Sequence, residues 1–434
     1  MAETQASGNL EAAIRKHRMA AVCLRCTLPD GKPLPAGSIV GVEQTRHAFL
    51  FGCLTNGWGL CRSPQLEQAF RTTCADLFNY ATVLFHWGRS LSQTAPYEPE
   101  PGVTEADQRQ ALLVWCRQHS MIVRGHPLVF FFQPKWVSTC SREERERFLW
   151  RRVEREARTF AGAVDYWDTV NEPTTQGRYA LRHGGRASED VFRRYGPVGV
   201  MERTHALVRE ADARVRLIIN DWDTGEALAS VLDEAFEAGI EIDAIGFQEH
   251  CFETPPDFAA IAATCDRFSR FGVPLHFTEV MMPSCTDEGR AKLTYTREKN
   301  KASRTCTDGE VRQAQEVEAF YTNLFAHPAV EGITWWGLSD YLGCCDAPVG
   351  LLREDMTPKP AHTRLRQLIK ERWWTKKKCR VEPGGFVAVH GFLGDYRVVL
   401  DEAGLPCTGT FTLSRDGRHV DVRLERIPVR RVDQ

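Results

Sequence analysis

Short apolar runs alternate with charged stretches of helical spacing along most of this chain. From residue 47 onward the runs cover 47–53, 78–87, 121–132, 164–170, 215–219, 242–247, 274–278 and 333–338. Apolar strands separated by helices are typical of a buried parallel sheet, and eight of them are the number that closes a barrel. The pattern predicts an α/β protein built on a (β/α)8 TIM barrel, with helices over 141–160, 311–325 and 360–374 and a long polar loop over 285–309.

The two ends of the chain have a different pattern of apolar and polar positions. After a short basic helix at 11–19, alternating apolar and polar positions with turn residues between them predict short strands over 20–26, 38–44, 386–390, 395–400, 409–414 and 419–424. Neither end has enough strands to be stable alone. We therefore predict a small accessory β-sandwich-like module formed from both. The predicted boundaries are 11–46 and 379–434 for this module and 47–375 for the barrel, with the lysine run at 376–378 as a solvated linker.

Composition removes several classes of function. The net charge of −2 over 434 residues indicates no strong field for nucleic acid or an anionic membrane. No apolar run reaches 18 residues, and the first ten residues lack the basic and apolar regions of a secretory signal. We expect an intracellular protein, or one whose leader is absent from this sequence. The 15 cysteines are thinly spread, and the CxxC at Cys23 to Cys26 lies in a strand-like run with no second CxxC to complete a zinc site, so we expect no metal and no cofactor.

Two glutamates stand out by position. Glu172 follows a predicted barrel strand, and Glu279 ends another. Barrel enzymes place catalysis at the carboxyl ends of their strands. Pro173 is expected to hold Glu172 in an extended conformation, because the residue before proline avoids the α region. Glycoside hydrolysis needs one acid to protonate the leaving oxygen and a second carboxylate at the anomeric carbon. The pair therefore predicts Glu172 as proton donor and Glu279 as nucleophile.

Further polar residues lie where apolar ones would be expected. Gln248 and His250 share one face at the end of the sixth predicted strand, and a histidine there is placed to hydrogen-bond Glu279. Arg124 to His126 interrupt the third strand. Trp336 ends the eighth strand as a candidate aromatic floor for a sugar ring.

In this order the motifs resemble glycoside hydrolase family 10, the family of the retaining endo-β-1,4-xylanases. The segments that carry the likeness are 124–129, 167–172, 245–250, 278–279, 336–340 and 358–360, and it extends over about residues 47–372. The resemblance implies that Glu172 is the acid/base, Glu279 the nucleophile and Asn171 a contact of the sugar 2-hydroxyl. It also implies that His126, Gln133 and Trp336 bind the glycone and that His250 is the hydrogen-bond partner of the nucleophile.

The chain departs from the family pattern around the −2 sugar. The family usually has Glu-Asn and a Lys at the end of the second strand, where this sequence has Leu84 through Arg89. Trp87, within this segment, is taken as a candidate sugar contact. The family's Trp before Gln133 is Phe130, and its Asp two residues after the nucleophile is Met281. The resemblance therefore implies that the catalytic groups are retained while the residues that bind xylose are replaced.

Three functions remain open from the sequence. The first is a retaining β-glycosidase that acts on β-1,4-linked xylan-like saccharides or related β-glycosides, with an oligo- or polysaccharide as its partner. The second is a non-catalytic carbohydrate-binding barrel, favoured by the altered −2 site. A barrel enzyme with metal-assisted chemistry is the third, although neither HxH nor HExxH occurs in the sequence.

Overall fold

The chain forms two compact units. The computed structural model describes residues 2–89, 97–175, 185–295, 300, 302–401 and 406–426. One unit, here the β unit, combines residues 1–49, 322–328 and 365–434, and the barrel unit combines residues 50–321 and 329–364. The fold class predicted from the sequence is confirmed, because a closed parallel barrel and two further sheets are both present.

Sixteen strands are found in the described residues. They are β1 (Met19–Thr27), β2 (Ile39–His47), β3 (Leu50–Leu54), β4 (Tyr80–Leu84), β5 (Ile122–His126), β6 (Tyr166–Asn171), β7 (Arg216–Asp221), β8 (Ala244–Phe247), β9 (Leu275–Val280), β10 (Val330–Trp335), β11 (Lys376–Arg380), β12 (Phe386–Phe392), β13 (Gly394–Leu400), β14 (Cys407–Leu413), β15 (His419–Arg423) and β16 (Glu425–Arg426). Strands β3 to β10 form the barrel, in which each strand pairs with the next and β10 closes on β3. All eight predicted barrel strands are therefore confirmed.

Helices connect the barrel strands. The helices of the described residues are α1 (Ala2–Arg18), α2 (Pro64–Leu77), α3 (Ala106–Gln118), α4 (Lys135–Ser138), α5 (Arg142–Thr159), α6 (Arg186–Ala211), α7 (Glu226–Glu237), α8 (Phe258–Ser269), α9 (Asp287–Arg290), α10 (Thr307–Ala326) and α11 (Pro360–Gln367). Helix α5 begins with a capping box in which Ser141 and Glu144 satisfy each other's backbone N–H groups. None of the described helices has the length and apolar character needed to cross a membrane.

The β unit has one core shared by two sheets. Strand β1 lies between β12 and β15 in a three-stranded sheet, and β2 lies between β11 and β13 in a five-stranded one. Apolar residues of both sheets, among them Val22, Val42, Val389 and Tyr396, belong to a single buried cluster. The strands from before the barrel thus obtain their partners from the strands after it.

The expectation that the lysine run at 376–378 is a linker is wrong. Residues Lys376–Arg380 form β11, which pairs antiparallel with β2. The three lysines are exposed at the edge of the five-stranded sheet, where Lys376 forms an ion pair with Glu43. Charged side chains on an edge strand discourage further strand pairing, so the run is solvated as expected but belongs to a sheet.

Candidate active site

The two glutamates lie at the same end of the barrel. Glu172 directly follows β6, and Glu279 is the fifth residue of β9. The expectation of an extended Glu172 is wrong, because its φ is +53°. Its N–H donates to the Asn220 carbonyl at 2.7 Å, and its own carbonyl accepts from the Thr175 N–H at 3.1 Å. The turn that these bonds close outweighs the preference set by Pro173, and such strain is found at functional sites.

The surroundings of Glu172 favour its protonated form. Burial, together with the charges of Asp221 and Glu279, raises its pKa to about 8. Gln248 donates from Nε2 to Glu172 Oε1 at 2.9 Å, which opposes the rise only in part. Asp221 is itself fully buried and accepts hydrogen bonds from the backbone and hydroxyl of Thr174. Near neutral pH, Glu172 is therefore a carboxylic acid with a proton to donate.

Glu279 is held as a carboxylate. Burial alone would raise its pKa, but a hydrogen bond with His250 and the nearby His126 and Arg124 outweigh burial and lower the pKa below its usual value. His250 Nε2 lies 3.1 Å from Oε2, and Asn220 Nδ2 donates to Oε1 at 2.9 Å. Two carboxyl groups with pKa values moved in opposite directions are the arrangement that acid catalysis and nucleophilic attack require.

Asparagines link the two carboxyl groups. Asn220 Nδ2 also donates to Asn171 Oδ1 at 2.7 Å, and Asn171 Nδ2 reaches Glu172 Oε1 at 3.4 Å. The Thr278 hydroxyl donates to Asn220 Oδ1 at 2.5 Å, which fixes the orientation of that amide. This chain of hydrogen bonds holds the side chains of β6, β7 and β9 in one network.

His126 lies near the oxygen of Glu279 that His250 does not contact. Its Nδ1 lies 2.5 Å from Asp168 Oδ2, and its Nε2 lies 3.8 Å from Glu279 Oε1. Arg124, buried in the barrel, approaches Asp168 at 3.6 Å. A buried carboxylate at one imidazole nitrogen fixes the ring's orientation, so that its other nitrogen faces the site.

Trp336 is packed against this histidine. Their rings meet edge to face with centroids 5.2 Å apart. Only 4% of Trp336 is exposed, and it belongs to an apolar cluster with Leu84, Phe252 and Cys344. Trp336 thus lies beside His126, in a buried cluster whose other members come from the ends of β3 and β4 and from the segments that follow β8, β9 and β10.

Two predicted sugar contacts have other partners. Gln133 Nε2 donates to Ser138, and its Oε1 accepts from the Ala187 N–H. The Trp87 indole N–H donates to Glu98 at 2.7 Å, and the ring is 3% exposed. The structure thus joins Glu172, Glu279, Asn171, Gln248, His250, His126 and Trp336 in one constellation. Among the described residues, the hydrogen bonds of Gln133 and Trp87 lead to Ser138, Ala187 and Glu98, which lie outside this constellation.

An aromatic wall lies beside His126 where β4 and β5 end. The ring of His86 contacts His126 edge to face at 5.1 Å and also packs against Phe130 and Phe132. Burial lowers the pKa of His86 well below its usual value, so it is neutral here. The segment 84–89 therefore offers rings where the family resemblance implies charged hydrogen-bonding groups.

Several residues of the site received no role from the sequence, among them Asn220, Asp168 and Tyr295. Asp168 lies within the segment 167–172 of the family resemblance, and an acid within an apolar barrel strand is a signal for a buried partner. Tyr295 carried no such signal, since it lies in a polar loop without periodicity. Its hydroxyl is 2.9 Å from His250 Nδ1. Among the described residues, no group of three or more His, Cys, Asp or Glu side chains is placed to hold a metal ion.

Comparisons with known proteins agree with this geometry. The chain is 23% identical over 382 residues to the anti-sigma-I factor RsgI6 of Acetivibrio thermocellus, a match that covers 86% of this chain and 44% of that protein. It is 26% identical over 278 residues to endo-1,4-beta-xylanase A of Cellvibrio japonicus, covering 58% of this chain and 45% of that protein. The chain thus spans less than half the length of both curated relatives.

Solved structures share the fold. Xylanase 10B of Thermotoga petrophila RKU-1, in complex with xylobiose, superposes with a TM-score of 0.59 at 20% identity, covering 75% of this chain and 95% of that one. The family model described as Glycosyl hydrolase family 10 matches residues 93–367, which is more than half of the chain. This protein therefore belongs to glycosyl hydrolase family 10.

Proposed function

We propose that this protein is a retaining glycoside hydrolase that cleaves β-1,4-linked xylan-like saccharides or related β-glycosides. One observation carries the proposal: burial and neighbouring charge raise the pKa of Glu172 to about 8, while hydrogen bonds lower the pKa of Glu279. A protonated acid and an ionised carboxylate are the two groups that cleavage of a glycosidic bond uses. The xylanases among its relatives favour a xylan-like substrate.

In the proposed first step Glu279 attacks the anomeric carbon, and Glu172 gives its proton to the leaving glycosidic oxygen. The sugar becomes an ester of Glu279, and the ionised Glu172 now accepts a proton from water. That water attacks the anomeric carbon, the ester bond breaks, and Glu279 is regenerated as a carboxylate. His250 and Asn220 each hydrogen-bond one oxygen of Glu279 and so orient it for attack.

The proposed substrate contacts follow from the same arrangement. Asn171 would bond the sugar 2-hydroxyl beside Glu279, and Gln248 and His126 would contact the glycone next to it. Trp336 would form the floor. Gln133 and Trp87 stay candidate contacts, although their polar atoms bond to other parts of the barrel unit.

The test compares two variants on two substrates. We expect Glu279→Ala to abolish hydrolysis of every β-xyloside. Glu172→Ala should strongly impair xylo-oligosaccharides but spare 2,4-dinitrophenyl β-xylobioside, because that leaving group departs without a proton. Equal losses on both substrates in Glu172→Ala would contradict its role as the acid.

A second candidate is a carbohydrate-binding barrel without catalysis. It is favoured by the aromatic wall of His86, Phe130 and Phe132, which stands in place of charged sugar-binding groups. A relative that covers most of this chain is named an anti-sigma factor rather than a hydrolase. Binding of xylo-oligosaccharides with no turnover of the dinitrophenyl substrate would support this candidate over the first.

A further inference from the structure

The imidazole of His250 has two partners. Its Nε2 lies 3.1 Å from Glu279 Oε2, and its Nδ1 lies 2.9 Å from the hydroxyl of Tyr295. An ionised carboxylate only accepts hydrogen bonds, so Nε2 must carry a proton. In a neutral imidazole the other nitrogen is then an acceptor, and the Tyr295 hydroxyl is the donor that fits it.

Other contacts fix the position of Tyr295. Its ring stacks on Phe252 with centroids 5.4 Å apart and an interplanar angle of 20°. The preceding residue, Thr294, is held on both sides, because the buried amide of Asn300 accepts from its N–H at 2.9 Å and donates to its carbonyl at 2.6 Å. Asn300 also donates to the Cys345 carbonyl, which ties this loop to the one after β10. These contacts therefore hold the Tyr295 hydroxyl beside His250.

The sequence next to the nucleophile offers His250 no acid. Position 281, two residues after Glu279, is a fully buried methionine that forms a parallel bridge with His250. A carboxylate at Nδ1 could only accept a hydrogen bond, whereas a hydroxyl at Nδ1 can also donate one. The partner at Nδ1 therefore bears on which ring nitrogen carries the hydrogen that Glu279 accepts.

We propose that Tyr295 is a positioning residue that donates to His250 Nδ1 and holds the ring in the neutral tautomer whose Nε2–H bonds the nucleophile. Glu279 is then oriented by a neutral donor and keeps its full negative charge for attack. The role in catalysis rests on the proposed hydrolase function. The tautomer itself does not, because it is a property of the free protein.

The first test is the ¹⁵N spectrum of the histidine side chains in the full chain at pH 7. The His250 signals are assigned by their loss in His250→Ala. We expect a protonated Nε2 and an unprotonated Nδ1, and a shift of the Nδ1 signal in Tyr295→Phe, because that nitrogen loses its hydrogen-bond donor. A wild-type ring protonated on Nδ1 or on both nitrogens would overturn the proposal, as would an unchanged Nδ1 signal in Tyr295→Phe.

The second test is kinetic and uses 2,4-dinitrophenyl β-xylobioside, whose cleavage depends on the nucleophile. Tyr295→Phe keeps the ring that stacks on Phe252 and removes only the hydroxyl. We expect kcat to fall about tenfold with KM unchanged, the effect of one lost orienting hydrogen bond. Tyr195→Phe is the control, since Tyr195 bonds Glu146 between helices α5 and α6, and it should leave both constants unchanged. An unaltered kcat in Tyr295→Phe would contradict the positioning role.

The two tests separate the two proposals. If wild type hydrolyses no β-xyloside but shows the expected tautomer, the hydrolase function fails and the role of Tyr295 toward His250 stands. If wild type is active and the tautomer is not the expected one, the positioning role fails and the hydrolase function stands.

Discussion

Replacing Glu172 by glutamine should stabilise the protein at high pH and leave its stability unchanged at low pH. Burial and neighbouring charges raise the pKa of Glu172 to about 8 in the folded chain. In the unfolded chain a glutamate titrates at about 4.3. Glutamine keeps the shape and the acceptor for Gln248, but it has no proton to lose.

The direction of this change in stability follows from the number of protons that the folded and unfolded chains bind. Below about pH 4.3 both states of the wild type are protonated, and Glu172 makes no pH-dependent contribution. Between that pH and about 8 the unfolded chain loses the proton while the folded chain keeps it, so stability falls as pH rises. If the whole difference between the folded and unfolded pKa values of Glu172 contributed, it would lower the free energy of unfolding by about 5 kcal/mol, at about 1.4 kcal/mol per pH unit. Because Glu172 is not completely enclosed, we expect about half of that, roughly 2–3 kcal/mol.

Thermal melts of wild type and Glu172→Gln between pH 4 and 9 measure this difference. The two melting temperatures should agree at pH 4 and diverge by roughly 5 °C by pH 8, in favour of the variant. Glu234→Gln, on the exposed side of α7, controls for the loss of one surface charge. Parallel curves for wild type and Glu172→Gln over the whole range would show that the acid is not perturbed, and the assignment of roles to the pair would lose its basis.

Three further predictions concern other parts of the molecule. Burial lowers the pKa of His47 to about 4, so the β unit should lose stability as pH falls from about 6.5 to 4. His47→Gln should flatten this pH dependence in thermal melts, and an unchanged slope would refute the role of His47. We propose that the two ends of the chain form one accessory domain. Deleting residues 379–434 removes both neighbours of β1 and should cause aggregation, which size-exclusion chromatography detects. A soluble fragment with an unchanged melting temperature would contradict the shared domain. The family resemblance implies that aromatic rings replace charged groups at the −2 position, so we expect weak activity on linear xylan and better turnover of aryl or decorated β-glycosides. A steep rise of kcat/KM from two to four xylose units would show that extended glycone binding is retained.

The barrel and the carboxyl pair were predictable because local patterns encode them. Short apolar runs mark the strands buried on both sides, and Glu172 and Glu279 each stand at the end of such a run. The pairing of the two chain ends followed from edges that neither end could cover alone. Strand β11 was missed because Lys376 to Lys378 have low strand propensity, and only the pairing with β2 makes them a strand.

What the sequence could not give depends on contacts between distant segments. The left-handed backbone of Glu172 results from a hydrogen bond to Asn220, which lies on another strand and opposes the local effect of Pro173. The contact of Tyr295 with His250 joins residues 45 positions apart. Asp168 could be seen in the sequence, but its partner His126 lies on the neighbouring strand, so their hydrogen bond forms only when the two strands pair. The role of a residue could be predicted where its position at the end of one strand defines that role. It could not be predicted where the role depends on a partner that is distant in the sequence.

In the proposed mechanism Glu279 forms a covalent bond to the sugar. Incubation with 2,4-dinitrophenyl 2-deoxy-2-fluoro-β-xylobioside slows hydrolysis of the glycosyl ester and allows it to accumulate. The account predicts that intact mass spectrometry shows one added fluoro-xylobiosyl group and that peptide mapping places it on Glu279. Turnover of the unfluorinated substrate without any labelling, or a label on another residue, would contradict it.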